Sequence, residues 1–304
     1  MEEKEYAAIC QTIRELIQNG YEVMLFHQGF GETAIFLQVL YKYKEMRRKK
    51  LFVITYVSSR TELLKASDVI DEVFEVPEEL YLALCKDVPF RMECDIKDFL
   101  TMHKYDLDRS TMKKEVCEYL GISKDTPYGP YQIPVVDANW EEYFATKGLH
   151  KGKTVFLVPH ALFLGKVVDD SFWVKLVSRL KKAGYTALFN LPQESVPGVP
   201  FAYFDIIPSL RLAEKCGYVI GARTGFMDLV AAFTSIPVQA IYPDDTHPSW
   251  EICKEYTWTE PVEGDYALKY MESTGLHTLF DRPGITEHVY TCDEDLLDSI
   301  MSHL

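Results

Sequence analysis

Residues 217–245, GYVIGARTGFMDLVAAFTSIPVQAIYPDD, constrain the fold more than any other stretch. A short apolar run (218–220) ends in a small-residue turn that carries a cation, Gly221-Ala222-Arg223-Thr224-Gly225. An apolar helix (226–233) follows, then a second apolar run (238–242). Strand, turn, helix and strand within about 30 residues make a βαβ unit, whose strands lie parallel in one sheet. The turn sets backbone N–H groups, a hydroxyl and a guanidinium at a helix N-terminus, where an anion is favoured.

The same alternation runs through the chain. Residues 3–19 put Tyr6, Ile9, Ile13, Leu16 and Ile17 on one helical face, and Asn19-Gly20 ends it. A buried strand (21–27) leads into the glycine turn Gln28-Gly29-Phe30-Gly31-Glu32-Thr33 and a helix over 34–47. Strand 51–57, a short helix at 62–66 and strand 72–76 complete a parallel arrangement. Residues 78–120 read as less regular helix. The segment 124–134, with three prolines and a glycine, reads as loop. After a helix over 139–147 the alternation resumes. It gives strand 154–158, loop 159–169, helix 170–182, strand 185–190, a Pro/Gly loop and helix 209–215. Past Asp245 the pattern blurs until an amphipathic helix at 293–303. At 304 residues the chain exceeds the usual single domain. The expectation is an α/β chain of two Rossmann-like domains facing a cleft, 1–145 and 146–304, with the last helix free to pack back on the first. Ligands bind beyond the carboxyl ends of strands in such sheets, where both glycine turns and the His160 loop fall.

Composition narrows the partners. A net charge of −14 excludes a general nucleic-acid or anionic-membrane binder, but leaves room for one small cationic pocket. The seven cysteines are scattered, odd in number and never in CxxC spacing, which predicts reduced thiols in a cytoplasmic protein. The N-terminus is acidic and amphipathic, unlike a signal peptide. No apolar run approaches the ~20 residues that span a bilayer, so membrane contact is expected to be peripheral at most.

Several short segments, in order, resemble the heptosyltransferases of lipopolysaccharide assembly (glycosyltransferase family 9), enzymes of the GT-B fold. Arg223-Thr224-Gly225 followed by LVAAFTSIPVQAIYPDD fills the family's Asp-Thr/Ser-Gly turn, small-residue helix, apolar strand and acidic turn. Gly31-Glu32-Thr33 is similar to its first-loop Gly-Asp motif. DVIDEV (68–73) is similar to the tail of the next βαβ unit. Pro159-His160, Lys166 and the helix start at Asp170, Phe172 and Trp173 resemble its Pro-Gly…Lys-x-Trp arrangement. Three positions depart from the pattern. Glu32 stands where the family has Asp, Arg223 where it has Asp, and Asp228 where it often has His. The Arg-Thr-Gly turn is also similar to that of bacterial fucosyltransferase-like enzymes, where an arginine meets the donor diphosphate.

The resemblance implies a glycosyltransferase that takes a nucleotide-diphospho-sugar on its C-terminal domain and a glycan acceptor on its N-terminal one. Transfer would be inverting and metal-independent, with no cofactor, and would serve cell-surface polysaccharide or lipopolysaccharide synthesis. Without a metal, the diphosphate must be met by helix N-termini and basic side chains. Arg223, Thr224 and Gly225 are the first candidates for the donor, and Lys166 the second. The alternatives are an ordinary βα turn with a structural arginine, and a solvated loop lysine. His160 either touches the donor or is structural. Asp228 either orients the sugar or pairs with Arg223. Glu32 is the candidate general base, with Gly29 and Gly31 shaping its loop; alternatively it only favours the helix dipole. Asp244, Asp245 and His247 suggest a metal site or, more simply, an acidic turn. A nucleotide-sugar epimerase and a non-catalytic nucleotide-sugar-binding protein are the competing readings.

Overall fold

The computed structural model describes residues 3–56, 59–98, 111–160, 167–244, 247, 266–290 and 293–304. The backbone divides into two compact units, one closing with Lys113–Gln132 and the other running over Ile133–Leu304. Sequence reading set the division at 145/146. The helix Trp140–Lys147 belongs with the second unit for a physical reason: its Trp140 and Tyr143 rings pack edge-on against Phe204. Just upstream, the Arg211 guanidinium donates to the carbonyls of Ile133 and Pro134.

In the first unit the order is α1 (Glu3–Gln18), β1 (Tyr21–Leu25), α2 (Phe30–Arg47), β2 (Lys50–Tyr56), α3 (Ser59–Lys65) and β3 (Glu72–Val76). Then come α4 (Glu78–Lys86), α5 (Val88–Glu93), β4 (Lys97–Asp98) and α6 (Met112–Leu120). All strand pairs are parallel and the sheet order is β3-β2-β1-β4. One face packs Val23, Leu25, Phe52 and Ile54 against Ile13 of α1 and Leu80 and Leu84 of α4. The helix α2 is buried over most of its surface. It has no single apolar stripe because chain crosses its outer side as well. There, Gly129 N donates to Gln38 O at 2.7 Å and Tyr41 Oη donates to Pro127 O at 3.0 Å. The segment read as loop is thus a strap held on α2.

The second unit runs α7 (Trp140–Lys147), β5 (Thr154–Val158), α8 (Asp170–Lys182), β6 (Thr186–Asn190), β7 (Phe201–Ala202), α9 (Ile206–Cys216) and β8 (Gly217–Ala222). It continues α10 (Gly225–Phe233), β9 (Val238–Tyr242), α11 (Tyr266–Thr274), α12 (Leu276–Phe280), β10 (Ile285–Val289) and α13 (Asp293–Ser302). The sheet order is β10-β9-β8-β5-β6-β7, again parallel throughout. Its core joins Val155, Leu157, Ile220 and Ile241 to Phe172, Trp173 and Leu176 of α8. The last helix adds Leu296, Leu297 and Ile300 to that same core. Ion pairs also hold it on α8, where Lys175 and Arg179 meet Asp293, Glu294 and Asp298. Among the described residues no helix is long and apolar enough to cross a membrane.

Candidate functional site

Strand order locates the sites. From β5 the chain lays β6 and β7 on one side, then returns to lay β8, β9 and β10 on the other. The crevice at such a reversal, beyond the carboxyl ends of the two diverging strands, is where open α/β sheets bind ligands. Two loops leave there: Pro159-His160 after β5, and Arg223-Thr224-Gly225 after β8. Register pairs Val158 with Gly221. A Cβ on Gly221 would lie 2.3 Å from the Val158 carbonyl oxygen, so these strand ends approach too closely for any side chain.

Thr224 caps α10. Its side chain accepts from Met227 N at 3.4 Å, and its carbonyl accepts from Met227 N at 2.9 Å and Asp228 N at 3.3 Å. Thr224 and Gly225 are half-buried and His160 is exposed. Arg223 lies differently from an arginine presented to solvent: it is 4 % exposed. Its Nη1 donates to Asp228 Oδ2 at 2.8 Å and to Thr224 O at 3.0 Å. Its Nη2 donates to Thr274 O at 2.9 Å and lies 2.6 Å from Asp228 Oδ1. The Arg223–Asp228 pairing, left open by the sequence, is therefore present. Burial alone pulls the guanidinium pKa down, but Asp228, with Tyr242 and Tyr270, raises it further, so Arg223 stays charged.

Beneath this pair runs a second layer. Tyr242 Oη donates to Glu287, which also accepts from Leu276 N and His277 N. Burial drives the Tyr242 phenol pKa upward, Arg223 offsets part of that, and Glu287 adds to it. The turn at the end of β8 is thereby tied to α11, α12 and β10. Lys166 and Asp245 lie outside the described residues. Asp244 and His247 close a turn, with His247 N donating to Asp244 O at 3.1 Å.

The first unit has the equivalent reversal between β1 and β4, and the turn Gly29–Glu32 leaves it. Gly29 is the N-cap of α2 and accepts from Thr33 N and Thr33 Oγ1. Gly31 is buried. Glu32 is half-buried and folds back over Gly29: a Cβ there would lie 2.5 Å from Glu32 Oε2. Glu32 is thus an acidic residue at the third helical position lying over the N-cap, where a negative charge suits the helix dipole.

Beside that turn stands a cluster that the sequence reading missed. His27 stacks on Tyr56 at 3.5 Å between centroids and meets Tyr81 edge-on at 6.1 Å. Its Nε2 is 3.0 Å from Arg60 Nη1. A guanidinium only donates, so Nε2 accepts and the proton sits on Nδ1, 3.4 Å from Thr55 Oγ1. Burial, helped by Arg60, pushes the His27 pKa down to about 4. His27 is thus a neutral prop for Arg60, whose guanidinium lies 5.2 Å over the Phe30 ring. The available signal was a histidine closing a buried strand just before a glycine turn. A separate cavity of about 230 Å³, lined by Trp140, Phe144, Lys151 and Lys215, opens near the amino ends of β5 and β8, away from the reversal point.

No sequence-family model matches the chain, and no curated protein is similar to it. Its fold does match solved structures over nearly its whole length. A glycosyl transferase of family 9 from Veillonella parvula superposes with a TM-score of 0.58 at 13% identity, covering 93% of this chain and 97% of that one. The E. coli ADP-heptose lipopolysaccharide heptosyltransferase II gives 0.57 at 11% identity, covering 93% and 98%. The E. coli heptosyltransferase WaaC, solved with ADP, gives 0.56 at 10% identity, covering 93% and 100%. The chain thus shares the GT-B fold of these proteins.

Proposed function

We propose that this chain is a glycosyltransferase that moves a sugar from a nucleotide-diphospho-sugar to a glycan hydroxyl, with inversion and without a metal. The acceptor class we infer is a cell-surface polysaccharide or lipopolysaccharide precursor. The observation that carries the reading is the Thr224-Gly225 turn at the reversal point of the second sheet, on a fold shared with family 9 glycosyltransferases. That one such neighbour was solved with ADP supports a nucleoside diphosphate as the ligand class.

In this reading the donor diphosphate lies at the start of α10, with His160 beside it and Arg223 and Asp228 in the wall behind; Lys166, outside the described residues, is a further candidate cation for the diphosphate. The acceptor oxygen bonds to the anomeric carbon as the bond to the diphosphate oxygen breaks. Glu32 takes the acceptor proton, on a loop shaped by Gly29 and Gly31. The helix N-terminus meets charge that grows on the leaving group, which is where fixed dipoles lower a barrier most. General base catalysis contributes roughly 10²- to 10⁴-fold.

Two observations favour a second reading, a nucleotide-sugar-binding protein without turnover: Glu32 already folds onto Gly29, and Arg223 already faces Asp228. A thermal-shift panel of ADP-, GDP-, UDP- and CDP-sugars tests both. A ligand at 100 times its Kd stabilises the fold by about 2.7 kcal/mol, a readily measured shift. No shift with any sugar nucleotide sinks both readings. Release of nucleoside diphosphate on adding acceptor then separates them. Glu32→Ala is expected to lose that release by at least 10²-fold. Full transfer by the variant removes Glu32 as the base.

A further inference from the structure

We infer that Arg223 is a positioning residue: through Asp228 it fixes the donor-facing turn from behind and does not itself touch the donor. The inference rests on the donor site proposed above.

Arg223 ties four pieces of chain together. Its backbone N–H donates to Ile241 O of β9 at 2.9 Å. Its side chain holds the N-cap carbonyl of α10, the Asp228 carboxylate in the first turn of that helix, and the carbonyl of Thr274 at the end of α11. Reaching a phosphate would mean leaving all three side-chain acceptors, among them the Asp228 carboxylate, which is 2 % exposed. Nε, the donor that finds no partner among the described residues, is itself buried.

Peptide planarity converts this tie into a functional constraint. The carbonyl of residue 224 and the N–H of residue 225 point in opposite directions from one rigid plane. The Thr224 carbonyl is pinned inward by Arg223 Nη1, Met227 N and Asp228 N. The Gly225 N–H is therefore pinned outward, toward the face where a diphosphate oxygen would arrive. Because Asp228 neutralises Arg223, the pair adds orientation without net charge. The attraction for the anion comes from the helix N-terminus and from other cations.

Direct contact and positioning predict opposite outcomes for Asp228→Asn. If Arg223 were the phosphate contact, removing its competing carboxylate would leave binding unchanged or tighter. If Arg223 positions the turn, loosening the pair weakens binding. The test is calorimetric titration of wild type, Asp228→Asn, Arg223→Lys and Arg223→Met with ADP, GDP, UDP and CDP at two salt concentrations. Circular dichroism confirms that each variant is folded, and Arg223→Lys serves if the larger changes do not fold. The expected result is at least tenfold weaker binding of the preferred nucleotide in Asp228→Asn and in both Arg223 variants, with the salt dependence of binding unchanged in the charge-preserving Arg223→Lys. In amide spectra, the Gly225 signal shifts in Asp228→Asn before any nucleotide is added. Binding by Asp228→Asn as tight as wild type overturns the inference. So does binding by Arg223→Lys as tight as wild type, or a shallower salt dependence in that charge-preserving variant. A wild type that binds none of the four nucleotides overturns the donor-site reading itself, and this inference with it.

Discussion

The two glycine turns occupy equivalent places and treat charge in opposite ways. Each leaves the reversal point of a parallel sheet and opens a helix. In the first unit the charged side chain, Glu32, is half-buried and rests on a glycine of its own turn. In the second, Arg223 is sealed under the helix with Asp228. The first turn keeps its charge near the surface. The second pairs its charge internally with Asp228 and the carbonyls of Thr224 and Thr274. Turns of the same topology can thus hold a charged side chain near the surface or bury it, according to which way that side chain points.

The largest effect that can test this contrast is breaking the buried pair. Arg223→Met or Asp228→Leu alone strands a buried charge and is expected to cost about 3–5 kcal/mol in denaturant unfolding. The double variant is expected to recover most of that loss, because two apolar groups replace a neutralised pair. A double variant as unstable as the singles would show that the hydrogen bonds to Thr224 and Thr274, more than the charge pair, hold the turn.

Next come the two glycines. Gly221→Ala drives a methyl into the Val158 backbone, which cannot yield, and is expected to cost roughly 1–3 kcal/mol by urea unfolding. Gly29→Ala meets only the far end of the Glu32 side chain, which can swing aside. A smaller loss is expected there, and equal losses would mean that the Glu32 geometry is as fixed as the sheet. Smaller again is Glu32→Gln: the helix-dipole contribution of the charge is about 0.3–1 kcal/mol. Stability nearly intact with transfer lost would separate proton chemistry from capping.

A pH titration compares the units through their buried histidines. His27 in the first unit and His288 in the second are both pushed by burial to a pKa of about 4. His288 is held neutral between Gln239 and Ser299. An unfolded chain would protonate near 6.5, so it takes up protons first as pH falls. Stability is expected to be full above about 6.5 and to be lost progressively toward about 4. His288→Gln is expected to flatten part of that slope, measured by thermal unfolding across the range.

What the sequence revealed depended on how local the cause was. The longer strands of both units announced themselves by apolar runs between turns, and α8 by its spacing of Phe172, Trp173, Leu176 and Leu180. Strands β4 and β7 are two residues each, too short to show a period. The edge strand β10, ITEHV, escaped because its one buried side chain is His288. The two glycine turns were legible as turns. The pairing of Arg223 with Asp228, five residues on, was one of the readings on offer, but its contact with Thr274 was not, because that partner lies 51 residues away. The His27 cluster was hidden for the same reason: Arg60 reaches it across 33 residues. Order along the chain reports elements; side-chain partners require the fold.

The strap over α2 has a consequence for the order of assembly. Tyr41 and Pro127 are 86 residues apart, and Tyr131 donates to Leu63 O across 68. Contacts of such separation form late, because a long loop must close before they contribute. The helix that begins at Phe30 therefore acquires its outer cover only after the sheet beneath it has formed. On dilution from denaturant, helical signal is expected to return before Tyr41 and Tyr131 report their final environments, with competence at the Gly29–Glu32 turn arriving with the slower phase.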